Sequence, residues 1–281
     1  MIELPFDPNI HLGPLAVSWH GIFTAVGIFF GVALPVRLIR GRVSEDDAYA
    51  IATWGVVGGI IGARLLHVLD RLDFYLREPL QILAIWTGGI AVWGAIIGGA
   101  ISGYVVAVRR KIPIGTTADA AVSGLGLGLA IGRIGDIING EHHTIDCVSG
   151  ICVGYTHPET LGQPGPVHLA VAYEMLYLLA GVALAVWLFS QRRRAPMGTG
   201  LWRSLPPGTI FWLWALLYGL GRFVISFLRI ADPTSILGLR QDQLVGLATM
   251  LVAVPFLVYL LFRRRGTASS PPAREPEIAQ T

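Results

Sequence analysis

Seven transmembrane helices are the architecture this sequence predicts: an all-α, polytopic integral membrane protein with its N-terminus outside and its C-terminus in the cytoplasm. Three observations predict it. Of 281 residues, 53% are hydrophobic and only 14% charged, and a mean hydropathy of +0.62 excludes an ordinary soluble domain. Apolar runs long enough to cross a hydrocarbon core of about 30 Å recur seven times. Lys and Arg gather in alternate connecting segments, which is how short cytoplasmic loops are marked.

The first run, about 17 to 38, is followed by Arg37, Arg40 and Arg42. The second, about 49 to 69, contains Arg64, and the third, about 82 to 108, leads into Arg109, Arg110 and Lys111. The fourth, about 116 to 138, carries Arg133 near its end, and from there to Arg192 there is no Lys or Arg at all. That interval holds the longest loop, 139 to 167, and then the fifth run, about 168 to 190. Arg192, Arg193, Arg194 and Arg203 separate it from the sixth, about 209 to 228; the seventh, about 243 to 262, ends in Arg263, Arg264 and Arg265. The basic segments therefore face the cytoplasm, and the 139 to 167 loop faces outward with the N-terminus. Glu3 and Asp7 stand where a cleavable signal would carry basic residues, so the first span reads as a retained anchor. The expected division is an external leader over 1–16, a membrane domain over 17–265, and a disordered cytoplasmic tail over 266–281, rich in Pro, Ser and Ala. The pI near 9.1 follows from these basic flanks and points to anionic lipid, not to nucleic acid.

Cys147 and Cys152 both fall in the external loop. An oxidising compartment permits a disulfide there, and the short spacing leaves a free pair as the alternative; no metal site is indicated. Glycines at 58, 59 and 62, at 94, 98 and 99, and at 124, 126, 128, 132 and 135 have the small-x-x-x-small spacing that lets membrane helices approach closely.

Arginine inside a span is where chemistry is expected, because a charge at a helix centre costs about 2.5–3.5 kcal/mol on insertion scales and normally faces a protein interior. Arg133 shares a helical face with Asp136 and Gly140, with Asn139 three residues beyond Asp136. Two readings stand: an Arg133–Asp136 ion pair that orients the bundle, or an anion pocket assisted by Asp136 and Glu141. In the sixth run Tyr218, Arg222, Ser226 and Arg229 form one stripe; snorkelling accounts for Arg229 near the helix end but not for Arg222. Arg64 is a third buried guanidinium, with an ion pair to an acid such as Glu174 as the plainer account. Three arginines with few compensating carboxylates imply an anionic ligand, and guanidinium forks match phosphate. A phospholipid headgroup is the phosphate most available at that depth.

At these same residues the chain resembles the prolipoprotein diacylglyceryl transferases. Their signature G-R-x-G-N-F-x-N-x-E appears as Gly132-Arg133-Ile134-Gly135-Asp136-Ile137-Ile138-Asn139-Gly140-Glu141. Their late Tyr-Gly-x-x-Arg is matched by Tyr218 to Arg222, Gly-Gly-Arg by Gly62-Ala63-Arg64, W-x-G-G by Trp86-Thr87-Gly88-Gly89, the aromatic-Gly element by Trp19-His20-Gly21, and the Tyr-Glu by Tyr173-Glu174. The resemblance runs from about residue 5 to 262. It implies an enzyme of the bacterial inner membrane that moves the diacylglyceryl group of phosphatidylglycerol to the lipobox cysteine in prolipoprotein signal peptides, with no cofactor. Arg133, Asn139, Arg64 and Asp136 are then expected around the lipid phosphate. Arg133, Arg222, Tyr218, His20 and Glu141 are expected in catalysis, with Glu141 holding an arginine in place.

The chain departs from the family pattern in several places: Trp93 stands for a histidine expected to act as base, Asp136 for the signature asparagine, His20 for a tyrosine, and Ser226 for a glutamate, while of an H-P-x-Q-L-Y-E stretch only His168, Tyr173 and Glu174 remain. If the chain is active, another histidine is expected to supply the base, and His20, His142, His143 and His168 all fall on the outer side. Two further readings remain open from sequence: an altered relative that binds phospholipid or precursor without transfer, and an organic-anion transporter, which internal symmetry would favour and which no repeat supports.

Overall fold

The computed structural model describes residues 1–13, 15–84, 89, 91–194, 205–230 and 238–268. Trp86-Thr87-Gly88, Arg203 and residues 269–281 of the expected tail lie outside the described residues; 266–268 close the last helix. The helices are α1 (Trp19–Ile39), α2 (Glu45–Asp70), the short α3 (Leu72–Arg77), α4 (Val92–Arg109), α5 (Ile114–Asn139), α6 (Ala170–Arg194), α7 (Thr209–Ile225) and α8 (Gln241–Ala268). All but α3 contain a stretch long and apolar enough to cross a membrane, which makes seven. Large apolar side chains such as Phe29, Trp54, Ile101, Val224 and Phe262 are exposed along these helices, as expected where acyl chains and not water are the solvent.

Local chemistry sets the ends. Ser18 caps α1 by accepting from the Gly21 N–H at 3.0 Å, and Ser44 caps α2 through Asp47 N–H at 3.1 Å, with Glu45, Asp46 and Asp47 against the positive end of the helix dipole. Gly140 terminates α5 at φ +77°, its N–H bonded to the Asp136 carbonyl. A side chain there is disfavoured twice, by the left-handed backbone and by Gly162, whose N lies 2.4 Å from where a Cβ would sit. The third span begins at Val92, not near residue 82, because Pro79–Leu83 form a 3-10 turn.

Packing does not follow chain order. The most extensive contacts join α1 to α5, α2 to α4, α7 to α8 and α5 to α6. The glycine clusters are the reason: a Cβ at Gly62 would lie 2.3 Å from the Gly94 carbonyl oxygen, and one at Gly124 would lie 2.0 Å from that of Gly31. Larger residues would force these backbones apart. Between α5, α6 and α7 the apolar core includes Val122, Leu178, Leu188, Phe189, Ile210 and Trp214.

Two small sheets sit at the end of the bundle where α5 stops and α6 starts. Strand β1 (Ile2–Leu4) pairs in parallel with β4 (Cys152–Tyr155), which pairs antiparallel with β5 (Val167–His168); β2 (Asn9–Leu12) and β3 (Leu15–Ser18) form a hairpin leading into α1. The leader and the long loop therefore share one side, as the distribution of basic residues requires. Cys147 and Cys152 are joined by a disulfide, which resolves the alternative left open by their spacing.

Candidate active site

Directly beneath that cap, three arginines and three carboxylates from four helices meet. Arg133, on the last turns of α5, donates from Nη1 to Asp136 Oδ2 at 2.6 Å and from Nη2 to Glu174 Oε1 at 2.9 Å. Arg222 of α7 donates from Nη1 to that same Glu174 oxygen at 2.5 Å and from Nη2 to Asp242 Oδ1 at 2.8 Å. Arg229, just past the 3-10 turn Ser226–Leu228, donates to Glu174 Oε2 at 2.7 Å and to Asp242 Oδ2 at 2.8 Å. The formal charges balance, and this corrects the expectation of few compensating carboxylates. An unpaired guanidinium at this depth is too costly to bury, and Glu174 of α6 and Asp242 of α8 supply the counter-charge from far along the chain.

The three arginines are not equivalent. Side chains of Arg133 and Arg222 remain 14% and 13% exposed, that of Arg229 only 3%. Snorkelling for Arg229 is thereby overturned: the tighter 3-10 turn after Ile225 swings its side chain inward onto Glu174 and Asp242, not outward. Arg133 and Arg222 both donate to one carboxylate oxygen, so their forks converge on a point while each side chain keeps a small exposed fraction. Around them are buried polar atoms without a protein partner, Arg222 Nε, Asn139 Oδ1 and Ser226 Oγ.

Asn139 donates to Glu141 Oε1 at 3.1 Å, so Glu141 orients an amide and Glu174 performs the arginine-holding role expected of Glu141. Tyr218, one turn before Arg222, stacks on Trp214 with ring centroids 5.2 Å apart and meets Trp93 edge-on at 6.4 Å. Position 93 thus borders this network, carrying an indole where the family pattern has a titratable ring.

Arg64 is elsewhere. It donates to the carbonyls of Gln81, Ile82, Ala84 and Gly89, and the pairing with Glu174 is not formed. These bonds hold the segment between α3 and α4 in place. Gly89, at φ +76°, is required there because a Cβ would come within 2.9 Å of Arg64 Nη1.

The histidines differ in kind. His20 Nδ1 is 2.7 Å from Asp136 Oδ1. His142 Nε2 accepts from Arg133 Nη1 at 3.3 Å, and burial together with the Arg229 and Arg133 cations lowers its pKa to about 4, so it is neutral and a poor base at physiological pH. His143 is bonded to the Leu161 carbonyl at 2.7 Å on the exposed loop, and His168 lies 3.4 Å from the Tyr173 hydroxyl. His20, Asp136 and Glu141 each bring one potential ligand atom to within 4.8 Å of the others. Both Asp136 oxygens are already engaged, and the Arg133 cation beside them disfavours a further positive ion. Asp136 is accordingly a partner of Arg133 and His20, where the sequence had suggested a place against phosphate.

Comparison with known proteins decides the family. A family model for prolipoprotein diacylglyceryl transferase matches residues 8–259. The chain belongs to the prolipoprotein diacylglyceryl transferase family. A phosphatidylglycerol–prolipoprotein diacylglyceryl transferase of Dehalococcoides mccartyi is 35% identical over 272 residues, covering 95% of this chain and 98% of its own. Those of Synechococcus elongatus and Thermus thermophilus are 34% and 32% identical, covering 98% and 91% of this chain and 93% and 96% of theirs. Sequence reasoning missed Asp242, and the signal for it was available: it is an acid at the mouth of an apolar run, on the same side as three arginines seeking counter-charge.

Proposed function

We propose that this protein transfers the diacylglyceryl group of phosphatidylglycerol to the lipobox cysteine of prolipoprotein signal peptides, working at the outer face of the bacterial inner membrane with its N-terminus outside and its C-terminal tail, from 266, in the cytoplasm. The observation that carries this reading is the convergence of Arg133 and Arg222 on one oxygen atom, each still partly exposed, within a chain of this family. Two forks aimed at a single point match a phosphate oxygen.

The reaction is displacement at carbon. The precursor thiol loses its proton, the sulfur forms a bond to the terminal glycerol carbon that bears the phosphate, and the C–O bond breaks with its electron pair leaving on the phosphate oxygen as glycerol phosphate. Charge builds on that leaving oxygen, so cations held ready in a site of low dielectric stabilise the transition state more than the ground state. Glu174 and Asp242 keep Arg133 and Arg222 aimed, which removes reorganisation from the reacting step. Asn139, oriented by Glu141, and Tyr218 flank the same space and supply hydrogen bonds. Altered-relative and transporter readings gain no support from this arrangement.

The test is complementation of a cell depleted of its own diacylglyceryl transferase, read as thioether-linked lipid on a precursor cysteine. Wild type is expected to restore the lipid and Arg133→Ala to fail. Absence of the thioether with abundant wild-type protein sinks the proposal.

A further inference from the structure

The departures from the family pattern fall together in space. His20 stands for a tyrosine and Asp136 for an asparagine, and these two replaced residues touch each other, His20 Nδ1 to Asp136 Oδ1 at 2.7 Å, although 116 positions separate them. The base position at 93 is meanwhile filled by tryptophan, at the edge of the same network. Resting on the transferase reading, we propose that His20 is the base that takes the proton of the precursor cysteine, and that Asp136 is its positioning residue.

The fold builds this contact deliberately. A Cβ at position 135 would lie 2.5 Å from the His20 Cα, so only glycine lets the start of α1 close onto the last turns of α5, next to Asp136. Asp136 itself is immobile, with Oδ2 held by Arg133 at 2.6 Å and a side chain only 6% exposed, whereas that of His20 is 40% exposed. A carboxylate accepts hydrogen bonds and does not donate them. The proton on His20 therefore sits on Nδ1, toward Asp136, and the lone pair is left on Nε2, in a side chain that is 40% exposed. This is the division of labour of an Asp–His pair in acyl-transfer enzymes, where the acid fixes tautomer and orientation. The other three outer-side candidates lack it: His142 spends Nε2 on Arg133, His143 and His168 bond a carbonyl and a hydroxyl, and none of the three faces a carboxylate in hydrogen-bond range. Electrons balance without a further reagent: the S–H pair stays on sulfur, the new S–C bond replaces the C–O bond, and the proton on His20 Nε2 passes to water or to the departing phosphate.

The test follows thioether formation on a synthetic lipobox peptide in proteoliposomes containing phosphatidylglycerol, with purified wild type, His20→Ala, His20→Gln and Asp136→Asn. Both His20 variants are expected to lose at least about a hundredfold in kcat at pH 7, with KM for phosphatidylglycerol within about threefold of wild type. Between pH 7 and 8.5 their rates are expected to climb roughly tenfold per unit as the peptide thiol ionises unaided, and added imidazole is expected to rescue His20→Ala. Asp136→Asn is expected to lose at least about tenfold in kcat at unchanged KM, because an amide no longer dictates the tautomer. His20 variants within about threefold of wild type at pH 7, or depressed at every pH with no rescue by imidazole, overturn the assignment. A wild-type chain that forms no thioether overturns the transferase reading itself, and the base with it.

Discussion

Asp119 and Glu174 are both buried acids that grip arginine, one near each end of the bundle, and they are put to opposite uses. Asp119 is fully buried and saturated: Oδ2 accepts from Arg192 at 2.6 Å and from the Gly208 N–H at 2.8 Å, while Oδ1 accepts from the Phe211 N–H at 2.8 Å. Arg192 in turn donates to the carbonyls of Leu205 and Pro206. This cluster ties α5 and α6 to the start of α7, neutralises the donors at that helix N-terminus, and leaves a single buried donor, Arg192 Nε, without a partner. Around Glu174 the same residue types leave three polar atoms unpartnered, Arg222 Nε, Asn139 Oδ1 and Ser226 Oγ, and a His20 side chain 40% exposed. Ion pairing by itself thus says little about function in a membrane protein; what distinguishes a site from a staple is the hydrogen-bonding capacity left over.

The comparison breaks first at Arg133. Arg133→Lys keeps the charge and loses the fork, and is expected to fold with near-native thermal stability while losing about a hundredfold or more in transfer rate; a peptide lipidation assay beside a melting curve measures both. Asp119→Ala should do the reverse, destabilising by about 3–5 kcal/mol because Arg192 is left buried without its partner, with the transfer rate per folded molecule unchanged in detergent. An Asp119→Ala protein that lost transfer while keeping its melting temperature would remove the distinction between staple and site. Cys147→Ser/Cys152→Ser opens a short loop and is expected to cost about 2 kcal/mol in the cap, seen as faster proteolysis of residues 140–168 and little change in kcat. The effect confined to acid pH, and absent near neutrality, is at His142. Its folded pKa of about 4 lies below the unfolded value near 6.5, so the unfolded chain binds the extra proton first. The stability that neutral His142 contributes is complete above pH 6.5 and lost as pH falls toward 4, at up to about 1.4 kcal/mol per unit. His142→Gln is expected to flatten that limb of a melting-temperature profile.

Much of this was legible in one dimension because bilayers impose it. Span number, and the placement of leader and long loop on one side, follow from apolar run length and from where Arg37, Arg109 and Arg192 stand. The glycine clusters announced close contacts, though not that α1 would seek α5 before α2. Arg133, Arg222, Asn139 and Tyr218 were found because polar groups at helical spacing in an apolar span are conspicuous. Partners were harder. Glu174 was assigned to Arg64 and Asp242 was overlooked, since pairing across helices carries no fixed interval, and Arg64 turned out to hold backbone carbonyls that no spacing rule reveals. Arg229 was misread because a switch from α to 3-10 geometry over three residues rotates everything after it.

Asp242 comes at the head of the last helix, yet two arginines of α7 and its following turn depend on it. A chain threading into the bilayer from its N-terminus must therefore carry Arg222 and Arg229 with an unfinished set of counter-charges until residue 242 arrives. The charge network is completed only when the helix that begins at Gln241 is in place, and a chain stopped before it holds Arg222 and Arg229 without Asp242.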